Sequence, residues 1–293
     1  MKSLAYHLLA ASVLAGMAQG AAASATSAGG IGAVTITLVD LAPDDGIAPS
    51  IVFAPDMGDD SSNSGGGTVS GELRSWTADN ESFREFRSVG FGQASSVSAG
   101  RDTPMASASG SITGLAGAGF SALAAQGQAG SGPVSRGSYD VAAQSAWAGF
   151  TLSANTAVYF SASGWAQGTT STGGDPSTGW DEAGGALVYL GAAGFDSGGT
   201  LVWDDDEHIA TASYTLDDAG NVHGDAQSWA GLLSVSFSNT TSASVDGVFT
   251  GETRAFGHSA VSAVPEPATS LMLLGGLGLV GAIARRRAAT EAA

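Results

Sequence analysis

The sequence predicts an all-β fold, an antiparallel β-sandwich-like ectodomain set between an N-terminal signal peptide and a C-terminal transmembrane helix. Three observations predict it. Apolar and β-branched residues alternate with polar ones at a period of two in several short stretches. Glycine and aspartate punctuate the chain at roughly ten-residue intervals, a hairpin rhythm that favours a sandwich over a βαβ fold. The two apolar runs without that rhythm stand at the chain ends. The expected division is residues 1–25 as signal peptide, 26–263 as ectodomain, 264–289 as a terminal segment with its helix at 268–284, and 290–293 as a tail.

Taken in order, Lys2, the apolar stretch 8–17 and the small residues Ala21-Ala22-Ala23-Ser24-Ala25 make an export signal too short to span a membrane. Cleavage is expected after Ala23 or Ala25, with the Sec translocon and signal peptidase as partners. Residues 34–39 alternate Val, Ile and Leu with Thr and predict a strand. Residues 79–89 are the one ectodomain stretch that could form a helix, with Phe83, Phe86 and Arg87 on one face, although the length also suits a strand. Residues 90–137 are dominated by Gly, Ala and Ser, whose side chains bury little area each. Residues 150–162 predict two short strands about Ser153-Ala154-Asn155, with Val158, Phe160 and Ala162 on one face. Asp217-Asp218-Ala219-Gly220-Asn221 predicts a hairpin loop. Leu233, Val235 and Phe237 alternate with serines as a half-buried strand, and Asp246-Gly247 predicts a turn between residues 243–245 and 248–254.

The chain carries a formal net charge of −17. Its ectodomain is more acidic still, near −19, because four of the ten bases and only Glu266 and Glu291 of the 27 acids fall in the terminal segments. Such a polyanion repels nucleic acid and anionic membrane surfaces, and cations are its natural counter-charge. There is no cysteine, which rules out disulfides, thiolate catalysis and cysteine-ligated zinc.

No motif for catalysis stands out, and no activity is expected. His208, His223 and His258 form no His-Glu-x-x-His pair and no Gly-x-Ser-x-Gly elbow occurs. Two acidic clusters could hold Ca2+, the one cofactor the sequence suggests. Asp56, Asp59, Asp60 and Asn63 crowd oxygen ligands ahead of a Gly-rich run, without EF-hand spacing; a solvated loop is the alternative. In Trp203-Asp204-Asp205-Asp206-Glu207-His208 an extended backbone would put Asp204, Asp206 and His208 on one side and Asp205 and Glu207 on the other; an exposed acidic turn between strands is the alternative. The six tryptophans offer core packing or sugar stacking. Trp165 and Trp180, enclosing a loop expected over Gly168-Thr169-Thr170-Ser171-Thr172-Gly173-Gly174, are the candidate stacking pair.

The end of the chain is the most specific stretch. Val264-Pro265-Glu266-Pro267 precedes seventeen uncharged residues, which as a helix would span about 26 Å, and then Arg285-Arg286-Arg287. The prolines hold an open segment that a processing enzyme could grip, and the arginines keep the far end of the helix cytoplasmic. This order resembles the PEP-CTERM sorting signal of exosortase substrates in Gram-negative bacteria, with a tail slightly longer than usual. The resemblance implies that an integral membrane exosortase recognises Pro265-Glu266-Pro267 and releases or transfers the ectodomain. It also implies an association with exopolysaccharide and biofilm. The expected protein is therefore a non-enzymatic surface or matrix protein, membrane-anchored first and external afterwards. Two alternatives are a carbohydrate-binding module, with or without calcium as its aid, and a secreted polysaccharide hydrolase using two carboxylates.

Overall fold

A computed structural model describes residues 24–53, 66–75, 81–88, 95–115, 120–131, 136–171, 174–175 and 180–259. The helix expected at 268–284, the sorting residues and the leader before Ser24 lie outside them. Among the described residues there is no helix, and so none long and apolar enough to cross a membrane. The strands in chain order are β1 (Ser24–Ile31), β2 (Thr35–Asp40), β3 (Ile51–Phe53), β4 (Gly66–Ser75), β5 (Glu81–Ser88) and β6 (Ser95–Asp102). There follow β7 (Ala106–Leu115), β8 (Ala122–Gly130), β9 (Gly137–Ser145), β10 (Ala148–Leu152), β11 (Thr156–Thr170), β12 (Gly174–Asp175) and β13 (Trp180–Asp181). The last are β14 (Ala183–Phe195), β15 (Leu201–Ala212), β16 (Tyr214–Leu216), β17 (Val222–Gly224), β18 (Ala226–Asn239) and β19 (Val245–His258).

Two antiparallel sheets result. Sheet A runs β18-β11-β1-β8-β7-β6, with β2 continuing the line of β1 along β11. Sheet B runs β15-β14-β19-β9-β4-β5, with β10 continuing the line of β9 along β19 and β3 beside β10. The sheets stack in register: β11 lies over β14, β8 over β19 and β9, and β7 over β4 and β9. At the two sides β18 meets β15 and β6 meets β5. This is the aligned sandwich geometry, in which alternate residues of both sheets fill one core.

The core is read directly from the alternation. Val158, Phe160 and Ala162 are buried, as are Leu233, Val235 and Phe237 across the pair β11–β18. Rings bridge the sheets: Phe160 of sheet A stacks on Phe249 of sheet B at 4.4 Å, and Phe150 of sheet B packs 6.1 Å from Phe237 of sheet A. Between β10 and β11 the chain breaks at Asn155, which takes a positive φ of 49° and ties the turn down by donating to Asp45. Asn239, buried at the end of β18, donates to the carbonyls of Ser153 and Ala243 and so fixes two neighbouring turns.

Several expectations change. Of the two readings left open for residues 79–89 the strand is the one that forms, over 81–88, with Phe83 turned into the core. β11 is one long strand rather than a short one, and runs through Gly168 to Thr170. The turn expected at Asp246-Gly247 is absent, because β19 continues straight through it. Gly247 is there for space: a Cβ would come within 2.5 Å of the Phe150 ring directly across the pair. The hairpin loop at residues 217–221 does form. Asp217 accepts the backbone N–H groups of Ala219 and Asn221, and Gly220 supplies the positive φ.

Tyr139 shows how the sheets lock. It rises from β9 into the space above Gly127 of β8, where a Cβ would lie 2.1 Å from the ring, and its hydroxyl pairs with Ser27 of β1 at 2.8 Å. Near the same pole the chain enters at Ser24, opposite Gly130, and leaves after Ser259, whose hydroxyl also bonds the Gly130 carbonyl. Burial pushes the Tyr139 phenol well above its ordinary value, against a smaller opposing effect of Ser27. Because the folded value is raised, this stabilising contribution is complete below the unfolded phenol value of about 10 and is lost as pH climbs above it. Urea unfolding at about pH 8 and about pH 11 should show a steep alkaline loss in the natural chain and a smaller one in Tyr139→Phe. That variant should cost about 1 kcal/mol at the lower pH. Gly127→Ala, which drives a methyl into the ring, should cost about 1–3 kcal/mol.

Candidate functional site

The outer face of sheet A is built from the residues that alternate with the core. Along β7 these are Ser107, Ser109, Ser111 and Thr113; along β8 they are Ala122, Ala124, Gln126 and Gln128. Register aligns them into rows across the strands. One row runs Trp165, Gly30, Ala124, Ser111, Ser98, and the next runs Gln167, Ala28, Gln126, Ser109, Gly100. Small residues in the middle strands leave a depression of about 1100 Å3 over these rows. A second hollow of about 380 Å3 shares Ala28, Gly100, Ser109, Gln126 and Gln167 with it and ends at Arg101 and Asp102. Among the described residues no charged side chain lines the larger depression.

Trp165 floors one end. Its indole lies across Gly30, where a Cβ would come within 2.8 Å of Nε1 and 3.1 Å of Cε2, and it remains half-buried. Glycine at 30 therefore lets the ring lie down on the sheet. Gln126 donates to Ser109 at 3.2 Å, which orients one amide of the polar rows. A half-exposed indole beside amides and hydroxyls can stack the apolar face of a sugar ring while the amides bond its hydroxyls.

The expected pairing of Trp165 with Trp180 across a loop is not what the backbone shows. Residues 165–170 are strand, and Gly168 is small because a Cβ would lie 2.0 Å from the Gly184 carbonyl oxygen of the facing sheet. Trp180 opens β13, and its side chain lies outside the described residues. The row residues Ser98, Ser109, Ser111, Gln126 and Gln167 were not anticipated. Their signal is the alternation of Ser and Gln with Ala, Gly and Ile in two neighbouring stretches of low-complexity sequence.

The acidic stretch 204–208 lies inside β15 and is not an exposed turn between strands, and as an extended backbone it splits into two faces. Asp204, Asp206 and His208 are half-buried and turn toward β18, while Asp205 and Glu207 are exposed. Asp206 accepts the Ser234 N–H at 2.8 Å and meets His208 at 3.1 Å. Asp204 accepts both the N–H and the hydroxyl of Ser236, at 2.6 and 3.0 Å. The His208 ring stacks on Trp229 at 3.8 Å, nearly parallel. These carboxylates thus bond the outward N–H groups of β18, the edge strand of sheet A, and close that side of the sandwich. Among the described residues no group of three His, Asp or Glu could hold a metal ion. Asp56, Asp59, Asp60 and Asn63, the other calcium candidates, lie outside the described residues.

Replacing Asp204 or Asp206 by Ala should therefore cost about 1–2 kcal/mol each in urea unfolding, whereas Asp205→Ala and Glu207→Ala should fall within about 0.5 kcal/mol of the natural chain. Asp204→Asn, which keeps an acceptor, should recover most of the loss.

Comparison with known proteins bears on the chain end alone. No curated protein and no solved structure matches the chain. The family described as the PEP-CTERM protein-sorting motif matches residues 263–288 and so takes in Pro265, Glu266, Pro267 and Arg285 to Arg287. The chain carries a PEP-CTERM sorting motif at its C-terminus, which makes it an exported protein, anchored in a membrane and then processed by exosortase.

Proposed function

We propose that the processed ectodomain is a non-catalytic protein of the cell surface or extracellular matrix that binds exopolysaccharide on the outer face of sheet A. The observation that carries this reading is the uncharged depression floored by Trp165 and edged by Gln126, Gln167 and serines. On a chain of net charge −17 an uncharged face of that size selects for a neutral polymer, since an acidic one would be repelled by the molecule as a whole. The rows run across the strands at about 4.8 Å per strand, so a linear glycan can touch the sheet at successive sugar units. Export supports the same reading, because it delivers the domain to where such polymers accumulate.

Signal peptidase cleavage after Ala23 fits the sandwich better than cleavage after Ala25. Ser24 and Ala25 are already paired in β1 with β8 and β11, and Ala25 is fully buried, so the later cut would remove two strand residues.

Trp165→Ala should lower affinity for the host's neutral exopolysaccharide at least about tenfold, the equivalent of about 1.4 kcal/mol, in protein still folded at the assay temperature. Unchanged affinity in that variant would remove sheet A as the binding face. Intact mass of the extracellular protein tests the processing. An exosortase-competent strain should yield a protein beginning at Ser24 and lacking Arg285 to Arg287, and a strain without exosortase should retain the arginines.

A further inference from the structure

The outer face of sheet B has a different chemistry. Trp203, Asp205 and Glu207 alternate outward along β15, and Tyr189 and Glu252 stand opposite Glu207 on β14 and β19. Trp203 meets Trp147 edge to face, with ring centres 5.3 Å apart. The Tyr189 hydroxyl extends over Gly191, where a Cβ would come within 2.4 Å of it, and lies on the Trp203 side of the strand pair. Three rings therefore form one connected bed, and Trp203 is 43% exposed. Around it stand Asp205, Glu207 and Glu252. Their negative charge, after burial, pushes the Tyr189 phenol upward. Arg254, the cation that offsets Glu252, gives Nε and Nη2 to Asp140. The bed is thus aromatic with an excess of carboxylate, the reverse of the uncharged face on sheet A.

We propose that this bed is a second binding site, specific for a glycan of protonated amino sugars. The rings stack the apolar faces of the sugars, and they also attract an ammonium lying above them. Asp205 and Glu207 pair with the ammonium from the side of β15, and Glu252 from the side of β19. β14 is bonded on both sides, to β15 and β19, so Tyr189 presents a strand face, and on β15, the outermost strand of sheet B, the edge is turned toward β18, which Asp204 and Asp206 hold. Recognition on that face comes from the protein's rings and carboxylates, and an amino sugar offers the complement of each, an apolar ring face and an ammonium. An N-acetylated sugar keeps the stacking and loses the charge. Together the two faces let one domain hold a neutral polymer and a cationic one at once.

The test is calorimetric titration of the full-length chain with glucosamine oligomers and with N-acetylglucosamine oligomers of the same length. The amine form should bind about tenfold more tightly, with an advantage that shrinks as salt is raised. Trp203→Ala should remove binding of the amine form, and the pair Asp205→Asn with Glu207→Gln should erase the preference while leaving the fold intact. Trp165→Ala should leave amine binding unchanged, which separates this site from sheet A: loss of neutral-glycan binding alone in that variant speaks only to the first face. Equal affinity for the two oligomers, or amine binding that survives both β15 variants, would overturn the proposal. So would oligolysine binding as tightly through the same residues, since that would assign the bed to a basic peptide.

Discussion

Two sheets so rich in glycine and alanine stay together because the rings of one strand occupy the space that glycine leaves on another. Tyr139 sits over Gly127, Phe237 over Gly194 and Phe120 over Gly251, each so closely that a single methyl group could not be added without displacing the ring, and Phe150 lies over Gly247 in the same way within sheet B. Small residues contribute little transfer free energy of their own. Here they act by letting the few large side chains reach across the interface and make dispersion contacts on every side. The arrangement substitutes for the disulfides that an exported domain would otherwise use, since the chain has no cysteine.

The same economy shapes both outer faces. Where the inner surface needs glycine to admit a ring, the outer surface needs it for Trp165 to lie across Gly30 and for Tyr189 to pass over Gly191. Glycine thus sets the depth of the core and the flatness of the faces in one sequence. The carboxylates divide in a comparable way. On β15 they alternate between Asp204 and Asp206, which hold the neighbouring edge strand, and Asp205 and Glu207, which face solvent.

What could be read from the sequence depended on whether the signal was local. Period-two alternation is local, so the inward residues of β11 and β18 and the all-β class were legible. The hairpin loop at 217–221 was legible too, because Asp217 bonds backbone within four residues of itself. Gly247 was misread as a turn because an Asp-Gly pair looks the same whether glycine serves a turn or a ring far upstream in the chain. Gly168 was misread as loop for the equivalent reason, its neighbour being the backbone of the opposite sheet. Among the candidate site residues Trp165 stood out, but the serines and glutamines beside it did not, since their meaning lies in a register across five strands. The two-faced pattern of residues 204–208 could be drawn from spacing alone. Its partner, the N–H groups of β18, could not.

The chain enters the sandwich at Ser24 and leaves after Ser259 near one pole, through β1 and β19, both of which are interior strands of their sheets. That placement has a mechanical meaning. A pull transmitted along the C-terminal segment arrives on β19, which is held by β14 on one side and by β9 and β10 on the other. To extract it, the load must break two ladders of hydrogen bonds together, in shear, instead of peeling one strand from an edge. A domain held by that end in flowing medium would resist drag with an interior strand, bonded on both sides, in place of an edge strand.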